Sequence, residues 1–499
     1  MLNNQALNGL ISFLKRASVF NNMSLIKKIL LFVPVALFIS FAVAKGGIIA
    51  AGGLLVIIIG IPALYAVIGY PKVGITVLII AAFFINYASE FVSEEVPLGI
   101  VMDLLTYLLI FGFLLKQKYE KNWNYFKDPI SYLILAWLAY NFIEVINPVA
   151  PSVLAWVYTV RTVGFIMLMY FIFLYHIRSI QYIRFLMKLW LALCLLAAIS
   201  GFQQENFGLF SFEKTWYYAD PNRIKFFYVA GHLRKVAIFP DPVTFSYNMV
   251  VAAVLCICFI PLNITLYKKV ALGCFIPFSL LVMLYSGTRG AYVLLPAALI
   301  MLVVINFNKK ILLLVGTAAV MLAIIIVMPT SNQFIKRFQT AFKPSDDASF
   351  NVRAENQKRI KPYILSHPIG GGLGSVGVWG RRFAPNSFLA KFPPDSGYVR
   401  VAVEMGWVGL LLFSTLMFVI LYTGINNYYL IKNPELKRYC LAMVLVIFVY
   451  NIGNYPQQAL VQYPSNILFY LASALLSVTL RLDKQEQQNS DLKANQLAS

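Results

Sequence analysis

The chain has 499 residues, of which 60% are hydrophobic and only 12% are charged. Soluble globular domains are about 45–50% apolar and about 25% charged, so this composition excludes a soluble domain and predicts a polytopic membrane protein. The 41 basic and 20 acidic residues give a net charge of +21. In a membrane protein such an excess is typical of cytoplasmic loops, and it does not call for a nucleic-acid partner.

The N-terminal segment 1–28 is polar and basic. Apolar residues recur in it at helical spacing between Leu7 and Leu14, which favours a short amphipathic helix on the cytoplasmic surface, with a disordered tail as the alternative. Apolar segments then follow one another over 29–481, and about 20 apolar residues suffice to cross a bilayer. The polar tail 482–499 is predicted to be disordered.

We interpret residues 29–481 as one all-α transmembrane domain with about 14 spans. The predicted spans are 29–44, 47–68, 73–88, 99–115, 129–146, 154–175, 180–202, 243–262, 268–285, 290–306, 311–328, 399–424, 438–453 and 464–481.

Basic residues in the short loops predict the orientation of these spans. They fall on alternate loops of one side, at Lys116, Lys118, Lys121, Lys127, Arg178, Arg184, Lys268, Lys269, Lys309, Lys310, Lys437 and Arg438. Cytoplasmic loops carry an excess of Lys and Arg, so this side is predicted to be cytoplasmic, with both termini. The two long loops, 203–242 and 329–398, are then both outside.

The five cysteines lie in or beside apolar spans, at Cys194, Cys256, Cys258, Cys274 and Cys440. Neither a disulfide framework nor a metal-ligand spacing is apparent. The sequence therefore predicts no metal and no other cofactor.

Four arginines break the charge pattern because they lie on the predicted outer side. Arg161 is inside the sixth span near its outer end, Arg234 ends the first long loop, Arg289 lies between two spans, and Arg353 is in the second long loop. Guanidinium groups bind phosphate oxygens through paired hydrogen bonds. A pyrophosphate-binding site is one interpretation, and snorkelling of the arginines to lipid headgroups is the other.

The long loop also offers a glycine-rich stretch and a carboxylate near its end. The glycines of 370–374 could present N–H groups to a phosphate, although a plain turn explains them as well. Asp395 stands just before the twelfth span, where it could accept a proton from an incoming hydroxyl or simply cap the helix. His232, His367, Asp241 and Glu404 are further candidates for a base or an acceptor contact on the same side.

Three short motifs resemble the O-antigen ligase and O-antigen polymerase family of bacterial membrane glycosyltransferases. The first runs from Arg234 to the Asp-Pro at 241–242, and the second is Ser-Gly-Thr-Arg-Gly-Ala at 286–291. The third is His-Pro-Ile-Gly-x-Gly-x-Gly from His367, followed by Glu-x-Gly-x-x-Gly from Glu404. The resemblance covers roughly residues 161–420.

At one position the chain departs from the family pattern. The family usually has His-Asn ten residues before the Gly-x-x-Gly, and this histidine is thought to help activate the acceptor; here Asp395-Ser396 occupies the place of His-Asn. Asp395 could take over this role, His232 or His367 could, or the arginines could suffice.

The resemblance implies a GT-C-like membrane fold and a transfer reaction on the periplasmic face of the inner membrane. The donor would be a glycan on undecaprenyl pyrophosphate, and the acceptor a sugar hydroxyl on lipid A core for a ligase or on a lipid-linked repeat for a polymerase. The reaction would invert the sugar and need no metal, with Asp395, Arg289 and Arg234 as catalytic residues and Arg161 and Arg353 as further pyrophosphate ligands. A transporter or flippase of lipid-linked glycans is the alternative class, disfavoured by the two long outer loops and the lack of a repeat.

Overall fold

The computed structural model describes residues 64–91, 98–229, 231–331, 333–342 and 348–498, together with residues 40 and 45. Residues 1–70 and 71–499 form two separate units. Within the first unit, residues 64–69 are helical. The N-terminal segment 1–28 and nearly all of the first two predicted spans lie outside the described residues.

Among the described residues of the second unit, the regular structure is helical apart from an antiparallel pair of two-residue strands, β1 (Tyr228–Val229) and β2 (His232–Leu233). Its helices are α1 Pro71–Ala88, α2 Gly99–Glu120, α3 Pro129–Ile143, α4 Val153–Val163, α5 Met169–His176, α6 Ile180–Asn206, α7 Ser211–Ala219, α8 Pro221–Phe227, α9 Pro242–Phe259, α10 Leu266–Tyr285, α11 Arg289–Tyr292, α12 Leu294–Ile305, α13 Lys309–Val327, α14 Gln333–Thr340, α15 Ala348–Ser366, α16 Gly377–Phe383, α17 Gly397–Leu430, α18 Pro434–Gly453 and α19 Ser465–Ala498.

Within the described residues, 11 helical segments are long and apolar enough to cross a membrane. They coincide with the third to ninth and the eleventh to fourteenth predicted spans. This confirms the prediction of an all-α polytopic membrane protein. The predicted span 290–306 corresponds to the shorter apolar stretch Arg289–Ile305. The total of fourteen stays a prediction.

The spans differ greatly in how much of their surface is covered by protein. In α9, 89% of the apolar window is buried, whereas in α13 none of it is. Helix α9 packs against α10, α18 and α6, and α18 packs against α19 and α17. The centre of the bundle is therefore formed by α9, α18 and α19, with α13 at its periphery.

Contacts between loops show that the basic loops meet at one end of the bundle. Arg178 pairs with Glu120 at 3.1 Å, and Arg184 pairs with Glu435 at 2.6 Å. Arg481 donates hydrogen bonds to two carbonyl oxygens near the end of α5, at 2.8 and 2.7 Å. The two long loops meet each other at the opposite end, as described below, which agrees with the predicted alternation of loops.

Helix α17 is broken at Gly406, and the glycine-rich loop fills the break. Gly406 has φ 65° and ψ −171°, which interrupts the helical hydrogen bonds. The N–H of Gly371 donates to the carbonyl oxygen of Val403 at 2.9 Å, and the N–H of Val408 donates to that of Pro368 at 3.3 Å. The backbone N–H and C=O groups that lose their helical partners at the break need other hydrogen-bond partners inside a membrane. The glycine-rich stretch 370–374 and the Gly-x-x-Gly motif that begins at Gly406 therefore pack together as one unit.

We expect Gly406→Ala to destabilise the protein strongly. A Cβ atom on Gly406 would lie 1.9 Å from the carbonyl oxygen of Pro368, and the left-handed conformation alone costs roughly 1–3 kcal/mol for a residue with a side chain. Thermal unfolding in detergent should show a clear loss of stability. Gly316→Ala is the matched control, because Gly316 lies in α13 with no atom within 4 Å of its added Cβ; equal stability of the two variants would contradict the prediction.

Two segments are more regular than the sequence predicts. The long loop 329–398 contains α14, α15 and α16. The tail after Arg481, predicted to be disordered, continues α19 as helix to Ala498. Its Lys, Glu, Gln, Leu and Ala residues are good helix formers, and buried Asp483 accepts hydrogen bonds from the backbone N–H groups of Lys432 and Asn433 at 3.2 and 2.7 Å.

Candidate active site

Arg234 joins the first long loop to the turn between α10 and α11. Its Nε donates to the carbonyl oxygen of Ser286 at 2.9 Å, and its Nη2 donates to Oγ1 of Thr288 at 3.0 Å. The Thr288 hydroxyl in turn donates to the carbonyl oxygen of Pro242 at 3.1 Å. Two of the sequence motifs are thus held together by the side chain that begins the first of them.

Arg337 lies over the same turn, although nothing in the sequence singled it out. It is on α14, and a Cβ atom added to Gly287 would lie 3.0 Å from its Cζ. Gly287 itself has φ +58°, so the absence of a side chain there allows both the turn and the close approach of the guanidinium. A lone Lys-Arg pair in a loop has no recognisable spacing, and only the fold brings Arg337 beside Arg234.

The arginines form a group rich in positive charge, which we call the arginine group: Arg234, Arg289, Arg337 and Arg353. Burial, and then the neighbouring Arg337, lower the pKa of Arg234 to about 10, and Arg353 acts in the same direction. Arg289 belongs to the group because it lies, with Arg234 and Arg337, close enough to Tyr292 to interact with it electrostatically. Like charges gathered in this way favour an anionic ligand between them.

Asp241 supplies part of the compensating negative charge, but its main contacts are structural. One carboxylate oxygen accepts hydrogen bonds from the N–H groups of Val243 and Thr244 at 2.8 and 2.9 Å, and the other accepts from the Thr244 hydroxyl at 2.7 Å. It therefore caps α9 and also opposes the lowering of the Arg234 pKa.

Asp395 lies close enough to Arg353 of the arginine group to interact with it electrostatically, and it does not cap the helix that follows it. The capping oxygen of α17 comes from Ser396, which accepts from the N–H of Val399 at 3.4 Å. The Asp395 carboxylate instead interacts with Arg353, which also acts on Arg234. Burial raises the pKa of Asp395, and Arg353 opposes this rise.

The two predicted outer histidines lie in different surroundings. His232 Nε2 is 3.5 Å from a carboxylate oxygen of Glu205, which Lys235 also approaches at 3.4 Å. Burial lowers the pKa of His232, and the nearby Arg337 adds to this effect, so His232 borders the arginine group. His367 stacks on Tyr363 at 4.0 Å between ring centroids and contacts its carbonyl oxygen at 3.0 Å.

Arg161 and Glu404 are engaged elsewhere in the described structure. Arg161 forms an ion pair with Asp103 of α2 and lies 5.4 Å from the ring centroid of Tyr158. Buried Glu404 accepts a hydrogen bond from Arg400 Nε at 3.2 Å. The structure thus brings together Arg234, Arg289 and Arg353, whereas Arg161 contacts Asp103 and Tyr158, outside this group.

The glycines of 370–374 are packed against protein. A Cβ atom on Gly372 would lie 2.4 Å from that of Ala150, and one on Gly374 would lie 2.4 Å from Oγ1 of Thr159. The close approach to α4 and α17 explains these glycines without a phosphate. Among the residues that the structure describes, no group of three or more His, Cys, Asp or Glu side chains is arranged as a metal site.

The comparisons with known proteins assign the part of the chain that carries most of this site. Residues 274–414 match the family model described as O-antigen ligase, and this range contains Arg289, Arg337, Arg353 and Asp395. None of the curated proteins compared with the chain matches it. The match agrees with the motifs and the all-α membrane fold, and it supports assignment of residues 274–414 to the O-antigen ligase and polymerase family.

Proposed function

We propose that the protein transfers a glycan from undecaprenyl pyrophosphate to a sugar hydroxyl on the periplasmic side of the inner membrane. The observation that carries the proposal is the arginine group with Asp395 beside Arg353, formed where the two long loops meet. The basic loops lie at the other end of the bundle, which supports a periplasmic position for the group.

In the proposed reaction, the acceptor hydroxyl oxygen attacks C1 of the first donor sugar from the face opposite the pyrophosphate. The bond between C1 and the pyrophosphate oxygen breaks, and its electron pair leaves with the pyrophosphate, so the configuration at C1 is inverted. The proton of the hydroxyl passes to the carboxylate of Asp395. Each of these groups changes charge in the transition state, and fixed charges placed beside them lower the barrier.

Arg289, Arg337 and Arg353 are proposed to bind the pyrophosphate, together with Arg234. The hydrogen bonds of Arg234 to Ser286 and Thr288 fix its position, which suits a group that must be in place before the charge develops. Arginine charge then takes the part that a metal ion plays in many phosphate-transferring enzymes, and we propose a metal-independent reaction. Arg161, held on Asp103, is proposed to contribute to the surrounding structure.

Between the two members of the family, we favour a polymerase that uses a lipid-linked repeat as acceptor. The carboxylate at position 395, where the family usually has a histidine, motivates this choice. Lipid A core is the acceptor in the ligase alternative.

Reconstitution of the purified protein with lipid-linked oligosaccharide tests the proposal. We expect longer lipid-linked glycans and free undecaprenyl pyrophosphate to form together, in the presence of excess chelator and without a nucleotide sugar. Mass spectrometry of both products gives the stoichiometry. A parallel reaction with lipid A core as the acceptor distinguishes a ligase.

Two results would contradict the proposal. One is movement of intact donor across the bilayer without release of undecaprenyl pyrophosphate, which would favour a flippase. The other is complete loss of product in chelator with recovery on added divalent cation.

A further inference from the structure

A large crevice opens between α6 and α10 at the end of the bundle opposite the arginine group. Its volume is about 1230 Å³, which exceeds the roughly 300–1,000 Å³ typical of small-molecule pockets. Helices α6 and α10 touch through Phe202 and Phe278, whose ring centroids are 5.9 Å apart. The crevice occupies the space between the two helices from Phe278 towards the basic loops, and the start of α18 lines it as well.

The walls of the crevice are apolar along the helices. Leu191 and Leu195 of α6 face Phe275 and Phe278 of α10 across it. Leu195 is 40% exposed, and an apolar surface of this kind at a membrane-spanning helix is covered by hydrocarbon. The apolar walls of the crevice are therefore suited to bind a lipid acyl chain.

The mouth of the crevice carries an excess of positive charge. Its lining contains Arg184, Lys188, Lys268 and Arg438, with Glu435 as its one acidic residue. Glu435 is already bound by Arg184, through two hydrogen bonds of 2.6 Å. Lys188, Lys268 and Arg438 are left without a carboxylate partner in the lining, which complements an anionic headgroup.

We propose that this crevice is a binding site for an anionic phospholipid of the cytoplasmic leaflet. Its phosphate would lie among Lys188, Lys268 and Arg438, and its acyl chains would lie along Leu191, Leu195 and Phe278. Basic pockets between membrane helices on the cytoplasmic side are suited to anionic headgroups. The site is independent of the proposed glycan transfer.

The depth of the crevice favours a phospholipid over a long polyprenyl carrier. From Arg184 to Leu195 the helix rises by about 16 Å, at about 1.5 Å per residue. This is roughly half of the 30 Å hydrocarbon core, or one leaflet. Acyl chains of ordinary length fit this depth, whereas a long polyprenyl chain would extend beyond it.

Cys274 provides a direct probe, because it lines the crevice and is exposed while the other four cysteines are buried. We would measure its reaction with an uncharged maleimide in nanodiscs of phosphatidylcholine and in nanodiscs that also contain phosphatidylglycerol with the same acyl chains. Phosphatidylglycerol should slow the labelling of the unmodified protein. Native mass spectrometry of the same samples should show bound phosphatidylglycerol.

The triple variant Lys188→Gln, Lys268→Gln, Arg438→Gln should lose this protection. Each basic side chain near an anionic headgroup contributes about fivefold to binding, so we expect binding to weaken by roughly 100-fold. The matched control neutralises Lys118, Lys309 and Lys310, which lie at the same end and are exposed outside the crevice. This control should keep the protection.

Equal labelling of the unmodified protein in the two lipid mixtures would overturn the proposal, and this comparison needs no variant. Equal loss of protection in the crevice variant and the control would overturn it too, since it would indicate a general surface attraction. Protection by added polyprenyl phosphate, with none by phosphatidylglycerol, would assign the crevice to a carrier lipid instead.

Discussion

Replacing Arg337 by alanine is expected to lower the rate of glycan transfer by about 100- to 1,000-fold, the usual effect of removing one fixed group that stabilises a developing charge. Arg337 packs over Gly287 beside Arg234, where the leaving pyrophosphate is proposed to gain negative charge. The loss should therefore appear in kcat as well as in kcat/KM. Purified variants assayed with lipid-linked oligosaccharide would measure it.

Lys336 offers a matched control for Arg337, because it is the preceding residue of α14 and is exposed. Lys336→Ala removes one positive charge from the same helix and should leave the rate nearly unchanged. Arg337→Lys keeps the charge but not the planar fork of donors, so it should fall between the two. A normal rate for Arg337→Ala would remove Arg337 from the mechanism, and a change in KM alone would limit it to binding the donor.

Replacing Asp395 by asparagine is expected to lower transfer by at least about tenfold, and up to the 100- to 10,000-fold typical of proton transfer by a side chain. Asparagine keeps the size of the side chain but cannot accept the proton of the hydroxyl. Because Ser396 caps α17, the substitution should leave thermal stability nearly unchanged. Asp395→Asn with full transfer activity would show that another group takes the proton, and His232 would be the next residue to test.

Ser396→Ala gives the opposite pattern and so serves as the control for Asp395. Loss of a helix cap costs typically about 1 kcal/mol, so this variant should unfold at a lower temperature while its rate stays close to normal. If both variants lowered stability and rate in parallel, the effect of Asp395 would be structural.

The pH dependence of transfer gives an independent check on Asp395. As a base it acts only when ionised, so the rate should rise as pH increases through its pKa and then level off. Burial raises this pKa, which places the rise at higher pH than for an ordinary aspartate near 3.9. Arg353 opposes the shift, so Arg353→Gln should move the rise to still higher pH, and Asp395→Asn should abolish it. Persistence of the same rise in Asp395→Asn would assign it to another group.

Much of the architecture could be predicted because apolar length and loop charge are local properties. The helices found at Pro71–Ala88 and Gly99–Glu120 follow from apolar segments of sufficient length. Arg234 and Arg289 were identified because each stands beside polar motif residues at the end of an apolar segment. Both were predicted to lie on the outer side of the membrane, and in the structure both lie close enough to Tyr292 to interact with it electrostatically.

Other parts of the site depend on partners far away in the sequence. The sequence predicts Arg161 as a pyrophosphate ligand. In the fold it pairs with Asp103, which lies 58 residues earlier in the chain. The sequence gives no reason to distinguish Arg337 from other loop residues. Only the packing of α14 places its guanidinium against Gly287. Asp395 could equally have been a helix cap, and only the backbone geometry assigns that task to Ser396.

The sequence by itself determined that the chain is a multi-span membrane protein with two long loops at one end and with motifs that resemble those of O-antigen ligases and polymerases. The tertiary structure alone decided which spans form the centre, since lipid and protein interior favour the same apolar side chains, and α9 and α13 differ in burial far more than in composition. It also decided which charged groups meet, because an arginine in or beside a membrane takes whichever carboxylate or anion the packing of distant helices brings within reach.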